Sequence, residues 1–135
     1  MLRLTDAIYT DMVAHALDDL PNEACGLIAA APGSSKVERL YRCGNAAASS
    51  RLYELDPLDH LKADRDAEAR GLEIVGVYHS HTHTDAYPSP TDVAQAPDPN
   101  WHYLVVSLKE PEPVVRSYRI VEGTIEEEPL ELDRK

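Results

Sequence analysis

The segment that decides the fold is residues 72–92, LEIVGVYHSHTHTDAYPSPTD. Its first part, 72–78, is mostly apolar and rich in β-branched and aromatic residues, which is typical of a largely buried strand. A polar loop rich in Thr and Pro follows over 79–90. Residues 89–92, Ser-Pro-Thr-Asp, combine a serine cap, a proline at the first helical position and an early carboxylate, and so predict a helix start. The segment therefore predicts a strand, a loop and a helix, with histidines where the strand ends.

Two histidines at this strand end, His79 and His81, form the first part of a candidate metal site. Residues i and i+2 of an extended chain point to the same side, so both imidazoles can face one point. Asp92, on the first turn of the following helix, can close over the loop as an oxygen ligand. Two nitrogens and one carboxylate leave the fourth position of a tetrahedral zinc ion open to water, as in catalytic sites. The spacing H-x-H-x7-S-x-x-D therefore predicts a zinc site that makes hydroxide available at neutral pH.

A third histidine, His83, extends the alternation to H-x-H-x-H and could compete as a nitrogen ligand. The spacing of Asp92 favours the carboxylate instead, and we then expect His83 to be an exposed loop residue that could touch a substrate. The remaining histidines, His15, His60 and His102, lack ligand spacing, so we expect them at the surface or around the site.

Helices and strands alternate along the rest of the chain. Apolar residues at helical spacing predict a first helix, capped by Thr5 and Asp6 and ended by Pro21. A second helix is predicted from Asp56-Pro57 to Gly71. Strands are predicted over 24–31, 37–43, 72–78, 103–108 and 114–121, with a further one over 125–132. These elements predict a single α/β domain spanning residues 1–135, with one sheet and two main helices.

Length, charge and cysteine usage limit the class of protein. The 135 residues fit one domain, and 24 acidic against 13 basic residues give a formal charge of −11. This balance argues against nucleic acid as a partner but permits a basic protein. No apolar run reaches the length of a signal peptide or of a membrane span. The two cysteines, Cys25 and Cys43, do not form a CxxC pair. We therefore expect a cytoplasmic location. We expect Cys25, in an apolar strand, to be a buried thiol, and the run Glu126–Glu128 to be a solvated edge.

The motif His79-x-His81-x7-Ser89-x-x-Asp92 resembles the JAMM (MPN+) motif of zinc-dependent peptidases and isopeptidases. Residues 21–27, PNEACGL, are similar to the upstream glutamate segment of that family, and the similarity continues through Asn45-Ala46 and 53–57. The resemblance implies a JAMM/MPN domain with a curved mixed β-sheet, flanked by two main α-helices plus a short helix after the metal loop. This arrangement is similar to that of the cytidine deaminases.

The resemblance also implies a role for each residue of the motif. His79, His81 and Asp92 would bind Zn²⁺. Glu23 would hold the attacking water as a general base and later protonate the leaving amine. Ser89 would donate a hydrogen bond to the oxyanion of the tetrahedral intermediate, as acyl transfer requires in general.

The residues alone leave two of these roles open. Glu23 lies between a helix and an apolar strand, where a carboxylate is either a partly buried functional group or a solvated turn residue. Ser89 is sufficiently explained by capping a helix. One position departs from the family pattern, because Thr82 stands where a proline usually follows the second histidine. We expect this change to make the loop less preorganised without removing a ligand.

The small size and the Pro-Asn-Glu-Ala-Cys-Gly form resemble stand-alone bacterial members of the family, in particular those that release cysteine from a sulfur-carrier protein. The implied substrate is the C-terminus of a ubiquitin-like, β-grasp carrier, and the implied process is cysteine biosynthesis. Alternatives are C-terminal trimming, isopeptide cleavage of other ubiquitin-like proteins, or a non-catalytic MPN scaffold. The sequence leaves the oligomeric state and the identity of the carrier open.

Overall fold

A computed structural model describes residues 1–96 and 98–133. The helices are α1 (Asp6–Asp18), α2 (Pro57–Ala69) and α3 (Pro90–Ala94). The strands are β1 (Leu2–Thr5), β2 (Cys25–Ala30), β3 (Val37–Cys43), β4 (Glu73–His81), β5 (His102–Ser107), β6 (Val114–Val121), β7 (Thr124–Glu128) and β8 (Leu130–Asp133).

Six strands form one mixed sheet in the order β3-β2-β4-β5-β6-β7. Strands β4 and β5 are its parallel pair, and the other neighbours are antiparallel. The parallel pair is close-packed, because a Cβ on Gly76 would overlap the backbone carbonyl oxygen of His102. The expected α/β class and mixed sheet are confirmed.

A second sheet of two strands was not predicted. The segment expected as one strand over 125–132 divides at Pro129 into β7 and β8, and β8 leaves the main sheet to pair in parallel with β1. Pro129 has no backbone N–H to continue a ladder, but its carbonyl oxygen accepts a hydrogen bond of 3.0 Å from the Leu2 N–H. The expectation of a single sheet was therefore wrong.

The helix starts agree with the predicted caps. The Thr5 side chain accepts a hydrogen bond from the Ile8 N–H, and the Asp56 side chain accepts bonds from the first turn of α2. Two of the apolar residues at helical spacing, Leu17 and Leu20, are not buried, because they are 51% and 47% exposed. Helix α1 ends at Asp18, so Leu20 lies beyond the face that packs on the sheet.

Hydrophobic residues cover both faces of the large sheet. One cluster includes Met12 of α1 and Tyr78 of β4, and the other includes Ala63 of α2 and Val77 of β4. Successive residues of a strand point to opposite faces, so His79 and His81 share the face of Val77, on the side of α2. The candidate site is thus at the end of β4, on the face that α2 covers.

Candidate metal centre

The two histidines and the aspartate of the motif converge on one point. The Nε2 atoms of His79 and His81 lie 3.1 Å apart, and they lie 3.0 and 2.9 Å from Oδ2 of Asp92. All three side chains are buried, with 3–5% of their residue surface exposed. Strand β4 continues through His81, so the expected start of the loop at His79 was wrong by three residues. The extended backbone at these positions is what turns both imidazoles to the same side.

Helix α3 holds Asp92 through a capping box. The Asp92 N–H donates to Oγ of Ser89 over 3.0 Å, and the Ser89 N–H donates to Oδ2 of Asp92 over 2.8 Å. Burial alone would raise the pKa of Asp92, but contacts with His79 and His81 and the Ser89 N–H hold it well below its usual range. Asp92 is therefore ionised and rigidly oriented. The capping function that the sequence predicted for Ser89 is confirmed.

Neighbouring groups fix both imidazole rings. The Nδ1 atom of His81 lies 2.8 Å from the carbonyl oxygen of Asp85, which can only accept, so Nδ1 carries a proton. The ring of His79 stacks on Tyr53 at 4.3 Å between centroids and 21° between planes. Burial lowers the pKa of His79 below its ordinary value. Both contacts orient the rings with Nε2 towards Asp92, as outer contacts of metal-binding histidines commonly do.

The arrangement fits a metal ion. If His81 is neutral with Nδ1 protonated, its Nε2 carries only a lone pair and would face a carboxylate oxygen of Asp92 with no proton between them. Burial lowers the pKa of His81, but its contacts with Asp92 and the Asp85 carbonyl raise it overall, so this contact favours a positive charge. A cation shared by His79, His81 and Asp92 would provide that charge, and separations near 3 Å suit ligands that each lie about 2.0–2.2 Å from one zinc ion. Within residues 1–96 and 98–133, these three side chains form the one group that could hold a metal ion. His83 is exposed and is not part of this group.

Glu23 faces the same cavity as the metal-binding group. It is 3% exposed, and its Oε1 atom is buried without a hydrogen-bond partner among the described residues. Burial raises the pKa of Glu23 to about 7, and His81 and Asp92 act on it electrostatically in opposite directions. A buried carboxylate oxygen without a partner is costly in a folded protein unless a ligand or water uses it. This supports the functional interpretation of Glu23 over a solvated turn residue.

Backbone contacts place Glu23 beside the ligands of β4. The Ala24 N–H donates to Oγ of Ser80 over 2.8 Å, and the Ser80 N–H donates to the Ala24 carbonyl oxygen over 2.9 Å. The Glu23 N–H donates to the carbonyl oxygen of Ser49 over 2.8 Å. The start of β2 is therefore attached both to the histidine strand and to the loop that follows β3.

Asn45 organises that loop, a role that the sequence analysis missed. Its Nδ2 atom donates to the carbonyl oxygens of Glu23 and Leu52 over 3.0 and 3.1 Å. Its Oδ1 atom accepts bonds from the N–H groups of Ala47 and Glu54, both 3.0 Å. Only the resemblance around Asn45-Ala46 pointed to this position, because three of these four partners, all but the Ala47 N–H, lie seven or more residues away in the sequence.

Thr82, which replaces the usual proline, links two loops. It is buried, and its hydroxyl donates to the carbonyl oxygen of Ser50 over 3.2 Å. This bond ties the segment after His81 to the loop that Asn45 organises. The expected loss of preorganisation is thus offset by a contact that proline could not make.

The metal-binding group opens into a cavity of about 310 Å³, which we call the site cavity. It is lined by Glu23, Ser50, Arg51, His81, Thr82, His83, Thr84 and Ser89. Both residues expected to act on the substrate, Glu23 and Ser89, therefore border the same space as a metal ligand.

Several residues outside the site differ from expectation. His15 is buried, with Nδ1 2.7 Å from the Tyr78 hydroxyl, rather than on the surface. Glu128 is also buried, 2.7 Å from Nδ1 of His102, so the acidic run is not solvated throughout. Cys25 is buried as expected, and burial raises its thiol pKa to about 12, which makes it a poor nucleophile.

Comparison with known proteins identifies relatives along most of the chain. The family model described as prokaryotic homologs of the JAB domain matches residues 5–121. A CysO-cysteine peptidase of Mycobacterium tuberculosis is 48% identical over 120 residues, which cover 88% of this chain and 82% of that protein. A protein of Thermus thermophilus named for cleaving TtuB-protein conjugates is 40% identical over 84 residues, 62% of this chain and 55% of that protein.

A solved structure shares the fold closely. Protein DSY2949 from Desulfitobacterium hafniense superimposes with a TM-score of 0.92 at 38% sequence identity, covering 100% of this chain and 94% of that chain. The helices of the described residues are all too short or too polar to span a membrane.

Proposed function

Because this chain belongs to the family of prokaryotic homologs of the JAB domain, we propose that it is a zinc-dependent peptidase acting at the C-terminus of a ubiquitin-like sulfur-carrier protein. Family membership confirms the resemblance found in the JAMM motif. The observation that carries the proposal is the convergence of His79, His81 and Asp92 on one point, beside a buried Glu23 oxygen that has no hydrogen-bond partner among the described residues.

We assign zinc to this group because its donors are two imidazole nitrogens and one carboxylate oxygen. This set is typical of catalytic zinc, which keeps a position free for water or substrate. When bound there, zinc would supply Lewis-acid activation of the amide carbonyl and of water. Other divalent ions accept the same donors, so metal analysis of the purified protein is part of the test.

Glu23 is the group that would move protons. Its carboxylate would take a proton from the attacking water and give it to the nitrogen of the leaving amine as the C–N bond breaks. A carboxyl group whose pKa is raised to about 7 by burial can do both near neutral pH, and beside a divalent cation it would ionise more readily.

Ser89 would stabilise negative charge on the carbonyl oxygen. Its Oγ accepts the Asp92 N–H, and its hydroxyl proton is still available to donate into the site cavity. The capping function and the oxyanion contact are therefore compatible, because they use different sides of one hydroxyl group.

The names of the relatives support the substrate class. A relative that matches 88% of this chain is a CysO-cysteine peptidase, which favours release of a C-terminal cysteine from a carrier and hence a place in cysteine biosynthesis. The second candidate is isopeptide cleavage or trimming of a conjugated carrier, favoured by the relative named for cleaving protein conjugates. A non-catalytic scaffold is disfavoured by the complete set of metal-binding and proton-transfer groups.

We further propose that residues 1–135 form one domain and that the protein acts in the cytoplasm. The pairing of β1 with β8 joins the two ends of the described chain. Cys25 and Cys43 face each other across β2 and β3 and are both free thiols, which suits a reducing compartment.

The test is the intact mass of the host's own sulfur-carrier protein, prepared with a C-terminal cysteine, before and after incubation with the zinc-loaded protein. We expect loss of one cysteine, and no loss after chelation. Glu23→Gln should lower kcat by about 10²- to 10⁴-fold while zinc content stays unchanged, because Glu23 is not a ligand. Glu112→Gln, at an exposed loop position, is the matched control and should behave as wild type.

Two outcomes would contradict parts of the proposal. An unchanged carrier mass with zinc bound would exclude cysteine release and direct the same assay to conjugated and extended carriers. Full activity in Glu23→Gln would exclude the proton-transfer role of this carboxylate.

A further inference from the structure

Arg51 is the one arginine or lysine among the described residues that line the site cavity. It lies on the loop between β3 and α2, and its side chain is exposed. Glu23 and His81 line the same cavity, so Arg51 borders the space that holds the groups assigned to the reaction.

The backbone around Arg51 is held in place on both sides. The carbonyl oxygens of Ser49 and Ser50 accept bonds from the Glu23 N–H and the Thr82 hydroxyl, and that of Leu52 accepts from Asn45. The Arg51 N–H itself donates to Oγ of Ser49 over 3.0 Å. The loop therefore presents this side chain from a fixed position next to Glu23.

The guanidinium of Arg51 has no acidic partner within the described part of the chain. Arg3, Arg42, Arg70 and Arg116 each form an ion pair with an Asp or Glu. Arg39, Arg65 and Arg119 form none among the described residues either, but unlike Arg51 they do not line the site cavity. The protein has a formal charge of −11. Arg51 therefore offers a positive charge at the site cavity that no acidic side chain of the described residues pairs with, and an anionic group of a substrate can use it.

We propose that Arg51 binds the α-carboxylate of the amino acid that is released, and so selects carriers that end in one free residue. This inference rests on the proposed function. In such a substrate the carboxylate carbon is attached to the same Cα as the nitrogen that Glu23 protonates, so the carboxylate lies within a few bonds of the scissile amide. The ε-amine of an isopeptide-linked lysine has no carboxylate at that distance.

Arg51 is on this account a specificity-determining residue, separate from the proton-transfer group. A guanidinium can bind a carboxylate through two parallel hydrogen bonds, and a lysine cannot reproduce that geometry. An uncharged C-terminal amide would offer only one acceptor oxygen and no charge. The contact would therefore favour cysteine release over isopeptide cleavage by the same metal centre.

The test compares three zinc-loaded proteins on two forms of one carrier, ending in cysteine or in cysteinamide. We expect wild type to prefer the carrier that ends in the free acid. Arg51→Ala should lower kcat/KM for this acid form by about 10- to 100-fold, and should change kcat/KM for the amide form by less than about threefold. Arg65→Ala, which removes an exposed arginine of α2 that does not line the site cavity, should match wild type. High salt should reduce the preference of wild type.

A binding measurement separates recognition from catalysis. In the Glu23→Gln background, Arg51→Ala should weaken binding of the acid form by a similar factor and leave binding of the amide form unchanged. Equal losses on both forms, or no loss on the acid, would overturn the inference while the peptidase stands. Failure of wild type to cleave either form, with zinc bound, would instead overturn the proposed function and with it this inference.

Discussion

At the scale of single residues, the site depends on side chains that serve two purposes at once. Ser89 caps α3 through its Oγ, and the same residue lines the site cavity. Asp92 accepts the Ser89 N–H through the same oxygen that faces both histidines. The helix cap and the candidate ligand set are therefore one hydrogen-bonded unit, and a substitution of Ser89 affects both.

Substitutions of Ser89 should separate its two roles. Ser89→Ala removes both, and we expect the free energy of unfolding to fall by about 1 kcal/mol and kcat to fall by about 10²-fold or more. Ser89→Gly has no hydroxyl donor, but glycine is tolerated at a helix N-cap at a cost of only a few tenths of a kcal/mol, so stability should stay near that of wild type while kcat falls.

Urea unfolding, zinc content and carrier cleavage measure these effects, with Ser89→Thr as the variant that keeps both functions. A Ser89→Gly variant with wild-type kcat would show that the hydroxyl donor is not used in the reaction.

At the scale of elements, pairing of β2 with β4 brings Glu23, the proposed proton-transfer group, close to the candidate metal ligands. Cys25 lies opposite His79 in this pairing, which sets Glu23 two residues beyond it at the end of the sheet. The loop between β3 and α2 then closes over Glu23 through Asn45 and Ser49. Strand register therefore sets the position of Glu23, and the loop prevents it from turning outwards.

Asn45→Ala should disturb catalysis more than metal binding. Removing the side chain leaves the carbonyl oxygen of Glu23 and the N–H groups of Ala47 and Glu54 without their partner, so we expect a loss of about 1–3 kcal/mol in stability and a lower kcat. Zinc content should not change, because the ligands lie on β4 and α3.

Chemical denaturation and metal analysis test this prediction, with Asn100→Ala in an exposed turn as the control. Asn45→Asp keeps the two acceptor bonds but loses the donors, so an intermediate loss is expected. A kcat for Asn45→Ala equal to that of the control would contradict the positioning role.

At the scale of the whole molecule, a buried ionic group far from the site cavity joins three strands of the large sheet. Oε2 of Glu128 in β7 lies 2.7 Å from Nδ1 of His102 in β5 and accepts a bond of 2.9 Å from the Ser117 hydroxyl in β6. Burial would raise the pKa of Glu128, but the hydrogen bonds to His102 and Ser117 lower it below its ordinary value of 4.5. The ionised form is therefore the one that stabilises the folded state.

Stability should accordingly depend on pH through Glu128. Because its folded-state pKa lies below the unfolded value of about 4.5, its contribution is fully present above that pH and is lost as the pH falls through the folded-state pKa. Glu128→Gln should cost about 1–3 kcal/mol at pH 7, and its difference from wild type should shrink in acid.

Urea unfolding of both proteins in the metal-free state, at neutral pH and near pH 3, measures the difference. Glu126→Gln, at an exposed position of the same strand, is the control and should show no such dependence. A constant difference between Glu128→Gln and wild type at both pH values would contradict the assignment.

The sequence by itself determined the features that depend on neighbours within about four residues. The alternation that turns His79 and His81 to one side and the cap of α3 by Ser89 are local interactions of this kind. The helix starts at Thr5 and Asp56 were predictable for the same reason. The convergence of Asp92 on the two histidines spans 11 and 13 residues, and it was predicted from the spacing of the whole motif.

Tertiary structure alone decided the features that join distant parts of the chain. The burial of Glu23, its hydrogen bond with Asn45, the pairing of β8 with β1 and the burial of Glu128 each depend on how distant elements are arranged. A lone Glu or Asn in the sequence does not reveal which backbone groups will face it, because those groups can belong to elements that are distant in the sequence. Physically, local patterns fix where an element begins and which way its side chains point, and long-range packing fixes what they meet.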